Sequence, residues 1–305
     1  MPALDKLENT FSWSLSRNRT FNECPRRYWF HYYGAWGGWE SDAPPDVREL
    51  YLLKNITNLH LIAGDCVHRV IERVLQDLRE GRQVFPEASV AWCKTQMQRA
   101  FKESQREDWR NHPKRYARLF EHHYGPKPDR PLLERIATKI GTSVRTFFNS
   151  ECYALIRETD PGEWLTMETL DSFEFEGTKV FAVPDFAVRH LGETLLFDWK
   201  TGRKDARNND QLVLYALFAV QKWGVDLASM RAAPVYLLTG GDFSAKPISP
   251  EDVAHVREMM RKSIAEMRGG LEDAAGNAAR KEDFRPRPGY ACRSCPFRGV
   301  CPEAP

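Results

Sequence analysis

The stretch from Val180 to Gly202 constrains this chain most. Two apolar runs, residues 180–188 and 194–197, flank His190-Leu191-Gly192-Glu193. That pattern predicts two short strands joined by a tight connection. Each strand brings one carboxylate, Asp185 and Asp198, and Lys200 follows two residues past the second. Side chains alternate along a strand, so Asp198 and Lys200 share one face while Trp199 takes the other. If the strands pair, Asp185 sits beside Asp198. Two carboxylates on one face repel, and a hard divalent cation removes that repulsion. Mg²⁺ prefers oxygen ligands and is usually held by one or two carboxylates plus water and substrate phosphate. A neighbouring lysine then steers a water or offsets charge in a phosphoryl-transfer transition state. The same residues also fit a solvated hairpin with a surface ion pair, so the rest of the chain has to decide.

With 305 residues, 42% of them hydrophobic, the chain can bury one large core or two smaller ones, and 28% charged residues of both signs argue against disorder. No apolar run approaches the ~18 residues of a membrane helix. Met1-Pro2-Ala3-Leu4-Asp5-Lys6 lacks the apolar segment of a signal peptide, so the expectation is a soluble, cytoplasmic protein with no membrane association. The net charge of +2 says little, but its distribution says more. Residues 160–198 hold nine acids and two bases, residues 14–31 four bases and one acid, and residues 280–298 six bases and two acids. An acidic sheet flanked by basic arms suits a metal centre that receives a polyanion. Ordinary surface charge is the plainer alternative.

Taken in order, Phe21-Asn22-Glu23-Cys24-Pro25-Arg26 predicts a helix, a turn at Pro25 and a second short helix. The aromatic cluster Trp29, Phe30, Tyr32, Tyr33, Trp36 and Trp39 fits core packing better than base stacking. Residues 59–80 read as an amphipathic helix with Val67, Val70, Ile71, Val74, Leu75 and Leu78 on its apolar stripe. His68 and Glu72 lie four apart on one flank, after Gly64. Residues 81–160 look helical, and within them residues 99–135 carry ten bases and six acids, as either a channel wall or a stabilising cap. Strands are predicted at 166–175, 179–188, 194–200 and 231–238, and helices at 208–223 and 250–268. Glu168 is a further acid within reach of the strand pair. Gln211 and Tyr215 stand one helical turn apart and share a face.

Seven cysteines are present. Cys66, Cys93 and Cys152 sit singly in apolar surroundings and read as small buried hydrophobes. Cys292, Cys295 and Cys301 crowd three thiols into ten residues, whereas soft tetrahedral metals take four. Cys24 is the fourth candidate, followed by proline as Cys295 and Cys301 are.

Pro184-Asp185 followed by Asp198-x-Lys200 resembles the PD-(D/E)xK nuclease superfamily, and Gly64-x3-His68 resembles the first motif of its RecB-type members. Cys24 joined to the C-terminal triplet is similar to the iron–sulfur domain of AddB-type, CRISPR-associated RecB-like and exonuclease-five-type exonucleases. The resemblance implies an α/β fold: a restriction-endonuclease-like core, with a mixed central sheet flanked by helices, a helical insertion and a C-terminal iron–sulfur subdomain. The corresponding segments are an N-terminal arm (1–58), a first core helix (59–80), the insertion (81–160), the nuclease core (161–268) and the C-terminal arm (269–305). It further implies that His68, Asp185, Asp198 and the carbonyl of Trp199 hold Mg²⁺ or Mn²⁺, with Asp185, Asp198 and Lys200 catalytic. Gln211 and Tyr215 are expected to position DNA. Cys24, Cys292, Cys295 and Cys301 are expected to hold a [4Fe–4S] cluster, with zinc as the chemical alternative. The expected activity is metal-dependent hydrolysis of DNA by an exonuclease acting on single strands or ends, in repair, CRISPR adaptation or antiphage defence. Protein partners in such a complex are expected too. The alternative is a non-catalytic DNA-binding subunit. No Gly-x4-Gly-Lys-Ser/Thr is present, so no nucleotide-driven motor is expected within this chain.

Overall fold

The computed structural model describes residues 7–167, 171–205, 208–241 and 243–304. In chain order its first elements are β1 (Ser12–Ser14), α1 (Leu15–Glu23), α2 (Pro25–Trp29), α3 (Pro45–Lys54), β2 (Ile56–Thr57) and α4 (Leu59–Arg79). Then come α5 (Pro86–Glu103), β3 (Arg118–Leu119), α6 (Phe120–Tyr124), α7 (Arg130–Asn149) and α8 (Glu151–Glu158). Four strands follow close together: β4 (Trp164–Met167), β5 (Ser172–Phe175), β6 (Thr178–Phe181) and β7 (Phe186–His190). The chain continues as β8 (Glu193–Lys200), α9 (Asn208–Trp223), β9 (Met230–Tyr236), β10 (Lys246–Pro247) and α10 (Pro250–Gly269). Among the described residues no helix is long and apolar enough to cross a membrane.

The chain divides into two compact units, one of residues up to Ile56, Glu174–Phe181 and Glu258 onward, the other of Thr57–Phe173 and Ala182–Arg257. The second is built on a mixed sheet in the order β10-β9-β8-β7-β4. Within this sheet β8 and β9 run parallel, while β4 and β7, β7 and β8, and β9 and β10 pair antiparallel. Central position explains why β8 is apolar on both faces, with Thr194 to Trp199 all buried. Leu195, Phe197 and Trp199 pack with α4, α5, α7 and α8, while Leu196 packs with Leu212, Ala216 and Ala219 of α9. The sheet is thus covered by helices on both sides, consistent with a restriction-endonuclease-like fold.

The helix predicted over 59–80 forms as α4. Asn58 caps it, its Oδ1 accepting from Leu61 N at 2.9 Å. Ala63, Cys66, Val67, Val70, Ile71, Val74 and Leu75 are buried along one stripe. Burial of each larger aliphatic side chain there contributes about 1.5–3 kcal/mol. Asp129 caps α7 in the same way, and Pro131 in its first turn explains why a proline-rich stretch precedes a helix. Cys66, Cys93 and Cys152 are buried as expected, and burial pushes their thiols up to about 11, 12 and 11.

Two predicted strands are each divided. Residues 180–188 do not form one strand: β6 ends at Phe181, residues 182–185 are irregular, and β7 begins at Phe186. Pro184 has no N–H for a ladder, and the chain uses that break to change sheets. Residues 166–175 likewise supply β4 to the five-stranded sheet and β5 to a separate sheet ordered β1-β6-β5. Glu168 lies outside the described residues.

In the first unit β1 pairs parallel with β6, Trp13 facing Val180 in register. Buried Trp13 donates its indole N–H to Ser263 Oγ at 2.9 Å, and Ser263 Oγ donates to Asn18 Oδ1 at 2.8 Å. The N-terminal aromatic cluster packs as core: the Phe30 ring lies 5.1 Å from Phe297, and the Tyr28 ring stacks 5.9 Å from Phe284. Burial, helped by the charges of Lys54, Arg27 and Arg17, holds His31 down at about 3, so it is a neutral packing group.

Candidate active site

β7 and β8 pair Phe186 with Phe197. One further step of that antiparallel register puts Asp185 opposite Asp198 (186 and 197 give the same sum as 185 and 198). Asp185 therefore stands at the mouth of the ladder, in the bend left by Pro184. Its Oδ2 accepts from Trp199 N at 2.7 Å, replacing the strand partner that β7 no longer supplies. A strand residue directs its N–H and C=O to the same edge. The Trp199 carbonyl accordingly opens on the side of Asp185, while its ring is buried against Phe147 on the other face of the sheet.

α4 supplies His68, whose Nδ1 lies 3.4 Å from Asp185 Oδ2. Gly64, one turn earlier, explains the approach. A Cβ there would meet Thr201 Oγ1 at 3.2 Å, a tight contact that the Thr201 side chain could relieve only by giving way by a few tenths of an ångström, and glycine lets α4 approach the end of β8 without it. Thr201 is a residue that the motif reading passed over. Its signal was its position directly after Lys200 in the sequence.

Asp198 and Lys200 face α9, as alternation requires, and there they join Gln211 and Tyr215 in a closed ring. Lys200 Nζ lies 2.5 Å from Asp198 Oδ2 and donates to Gln211 Oε1 at 2.9 Å. Gln211 Nε2 donates to the Tyr215 hydroxyl at 2.5 Å, and that hydroxyl donates to Asp198 Oδ1 at 3.0 Å. Each polar group thereby fixes the next. Burial pushes Tyr215 well above the usual phenol range, reinforced by the charges of Asp198 and Asp185, so it stays protonated and keeps donating.

Asp198 is 1% exposed. Burial, then the charge of Asp185, raises its carboxyl above the usual range, against the pull of Lys200 and His68. Its Oδ2 has the Lys200 ammonium beside it but accepts no hydrogen bond of good geometry. A buried carboxylate oxygen is the oxygen type that a hard divalent ion takes. Asp185, His68 and the Trp199 carbonyl stand at the same end of the strand pair, so the donor set fits such an ion chemically. Among the described residues, no three His, Cys, Asp or Glu side chains stand as a preformed metal-binding group.

The four cysteines singled out in the sequence all lie in the first unit. Cys24, between α1 and α2, lines one cavity with Cys292, Cys295 and Cys301. Arg287 N donates to Cys24 Sγ at 3.4 Å, and Cys301 Sγ lies 3.4 Å from Glu303 Oε2. Burial raises the thiols of Cys295 and Cys301.

No curated protein matches this chain. The family model of the PD-(D/E)XK nuclease superfamily matches residues 12–302. Members of that superfamily are generally nucleases that use Mg²⁺ or Mn²⁺. With the two acids in register, the lysine on the same face and a match along nearly its whole length, the chain belongs to the PD-(D/E)XK nuclease superfamily.

Proposed function

We propose that this chain is a metal-dependent deoxyribonuclease, an exonuclease that hydrolyses phosphodiester bonds in single strands or at DNA ends. Its setting is DNA repair and recombination, CRISPR adaptation or antiphage defence. The observation that carries the reading is the desolvated pair itself: Asp198 Oδ2 beside Lys200 Nζ, with Asp185 opposite in register and His68 3.4 Å from Asp185.

His68, Asp185, Asp198 and the Trp199 carbonyl are the residues to hold Mg²⁺ or Mn²⁺; the imidazole favours Mn²⁺ over an all-oxygen set. Bound there, a divalent ion supplies Lewis acidity and charge neutralisation for phosphodiester hydrolysis. The remaining work falls to the side chains. Tyr215 holds Asp198 through Oδ1, leaving Oδ2, beside the Lys200 ammonium, as the oxygen that would ligate the ion. Gln211 holds the Lys200 ammonium, which orients the attacking water and offsets charge growing on the phosphate. Gln211 and Tyr215 thus act on DNA placement through the acid and the lysine. The cysteines Cys24, Cys292, Cys295 and Cys301 hold a [4Fe–4S] cluster, with zinc as the alternative, and tie the N-terminal arm to the C-terminal tail. Their shared cavity supports this assignment.

Labelled single-stranded DNA incubated with Mg²⁺ or Mn²⁺ tests the activity. Wild type is expected to degrade it, and Asp198→Ala and Lys200→Ala are expected to stay folded and inactive. Metal-dependent cleavage that survives in both variants overturns the site assignment. A wild type without cleavage points to a non-catalytic DNA-binding subunit.

A further inference from the structure

In the second unit, α4, α5 and the loop 113–117 enclose a groove that the carboxylate site does not use. Its walls carry Arg69, Arg99, Lys114 and Arg115 against Asp65 and Glu103. Arg69 lies 3.1 Å from Asp65 and Arg99 2.7 Å from Glu103, each pair within one helix. Lys114 and Arg115 are exposed, and among the described residues neither makes an ion pair, so the net positive charge of the groove sits on the loop. Beside them Tyr116 is half-exposed, with the Arg115 guanidinium 5.3 Å from its ring. Cationic side chains next to a partly exposed aromatic ring are what a single-stranded nucleic acid needs, since phosphates pair with the cations and an unpaired base stacks on the ring once the Arg115 guanidinium turns to a phosphate.

The groove also lies next to the chemistry. Leu61, Asp65 and Arg69 form one row along α4 at four-residue spacing, and they line the groove. Gly64, His68 and Glu72 form the adjacent row, turned by about 100°. On a helix about 10 Å across, neighbouring rows are roughly 8 Å apart. An unstacked single strand crosses that separation within a few nucleotides.

We propose that this groove holds single-stranded DNA a few nucleotides from the bond being cut, with Lys114 and Arg115 on the phosphates and Tyr116 beneath a base. The inference rests on the nuclease reading above. A duplex does not fit it as well, because its stacked bases cannot reach a ring on the groove wall.

Binding by the full chain in EDTA, where nothing is cut, separates the two readings. The probes are a fluorescein-labelled oligothymidylate of about 12 nucleotides, within the usual footprint of single-strand sites, and a duplex of the same length. Lys114→Gln/Arg115→Gln should weaken oligothymidylate binding about tenfold near 0.1 M salt and flatten the salt slope by about 1.4. Tyr116→Ala should weaken it about fivefold or more. Arg130→Gln, an exposed change at the start of α7, should stay within about twofold of wild type by the same measure. Unchanged unfolding midpoints show that the variants fold, and Tyr116→Ala stands by itself if the double variant does not. Groove variants that bind oligothymidylate like wild type, or that lose duplex binding in the same proportion, overturn the groove. A wild type that binds but never cleaves with Mn²⁺ refutes the nuclease reading and leaves the binding result intact.

Discussion

Replacing Asp198 with asparagine should make the metal-free protein more stable at neutral pH, and the size of the gain follows from the burial of the site. The carboxyl is raised from 3.8 to about 6, with burial the largest cause and the charge of Asp185 the next. A carboxyl raised on folding binds its proton more tightly in the native state than in the unfolded chain. Stability therefore falls as pH rises from about 4 to about 6, and the whole cost is present above that. The gap from 3.8 to about 6 corresponds to about 3 kcal/mol at most. Asparagine keeps the shape and carries no charge at any pH. In EDTA, Asp198→Asn should match wild type near pH 4 and melt about 5–10 °C higher at pH 7. Mn²⁺ should then stabilise wild type by mass action and leave the variant where it was. A difference in melting temperature that does not change between pH 4 and pH 7 would refute the argument that desolvation governs this carboxylate.

Tyr215→Phe leaves Asp198 Oδ1 buried without its donor, so it should cost about 1–3 kcal/mol of stability at pH 7, read by urea unfolding, and lower the cleavage rate. Gly64→Val should reduce cleavage by pushing α4 off Thr201, and Thr201→Ala should restore part of it because the crowding atom is gone; no rescue in the double variant rejects that contact as the cause. Cys24→Ser should lower bound metal and destabilise the N- and C-terminal arms together, measured by elemental analysis and proteolysis; anaerobically purified wild type should contain iron, and stoichiometric zinc without iron replaces the cluster assignment.

Much of the core site was legible because strand alternation is a strict rule. Asp198 and Lys200 on one face and Trp199 on the other follow from period two alone, and the helix that delivers His68 declares itself through eight buried apolar positions. The division of 180–188 into two strands was legible in principle at Pro184, but the apolar residues on both sides masked it. That the two halves serve different sheets depends on distant partners: β6 pairs with β1, at the other end of the sequence. The ring through Gln211 and Tyr215 was beyond reach for the same reason. Sequence spacing puts both on one face of α9, but only the packing of α9 on the sheet decides that this face meets Asp198 and Lys200. Gly64 was noticed as part of a pattern, and its physical reason, Thr201 Oγ1 at 3.2 Å from a would-be Cβ, exists only in three dimensions.

A crystal of the full chain soaked in Mn²⁺, with data collected at the manganese edge, addresses the metal site most directly. The site described above requires an anomalous peak bounded by the Asp185 and Asp198 carboxylates, His68 and the Trp199 carbonyl, absent in crystals of Asp198→Asn. Manganese bound elsewhere, or none bound with those carboxylates well ordered, would contradict it.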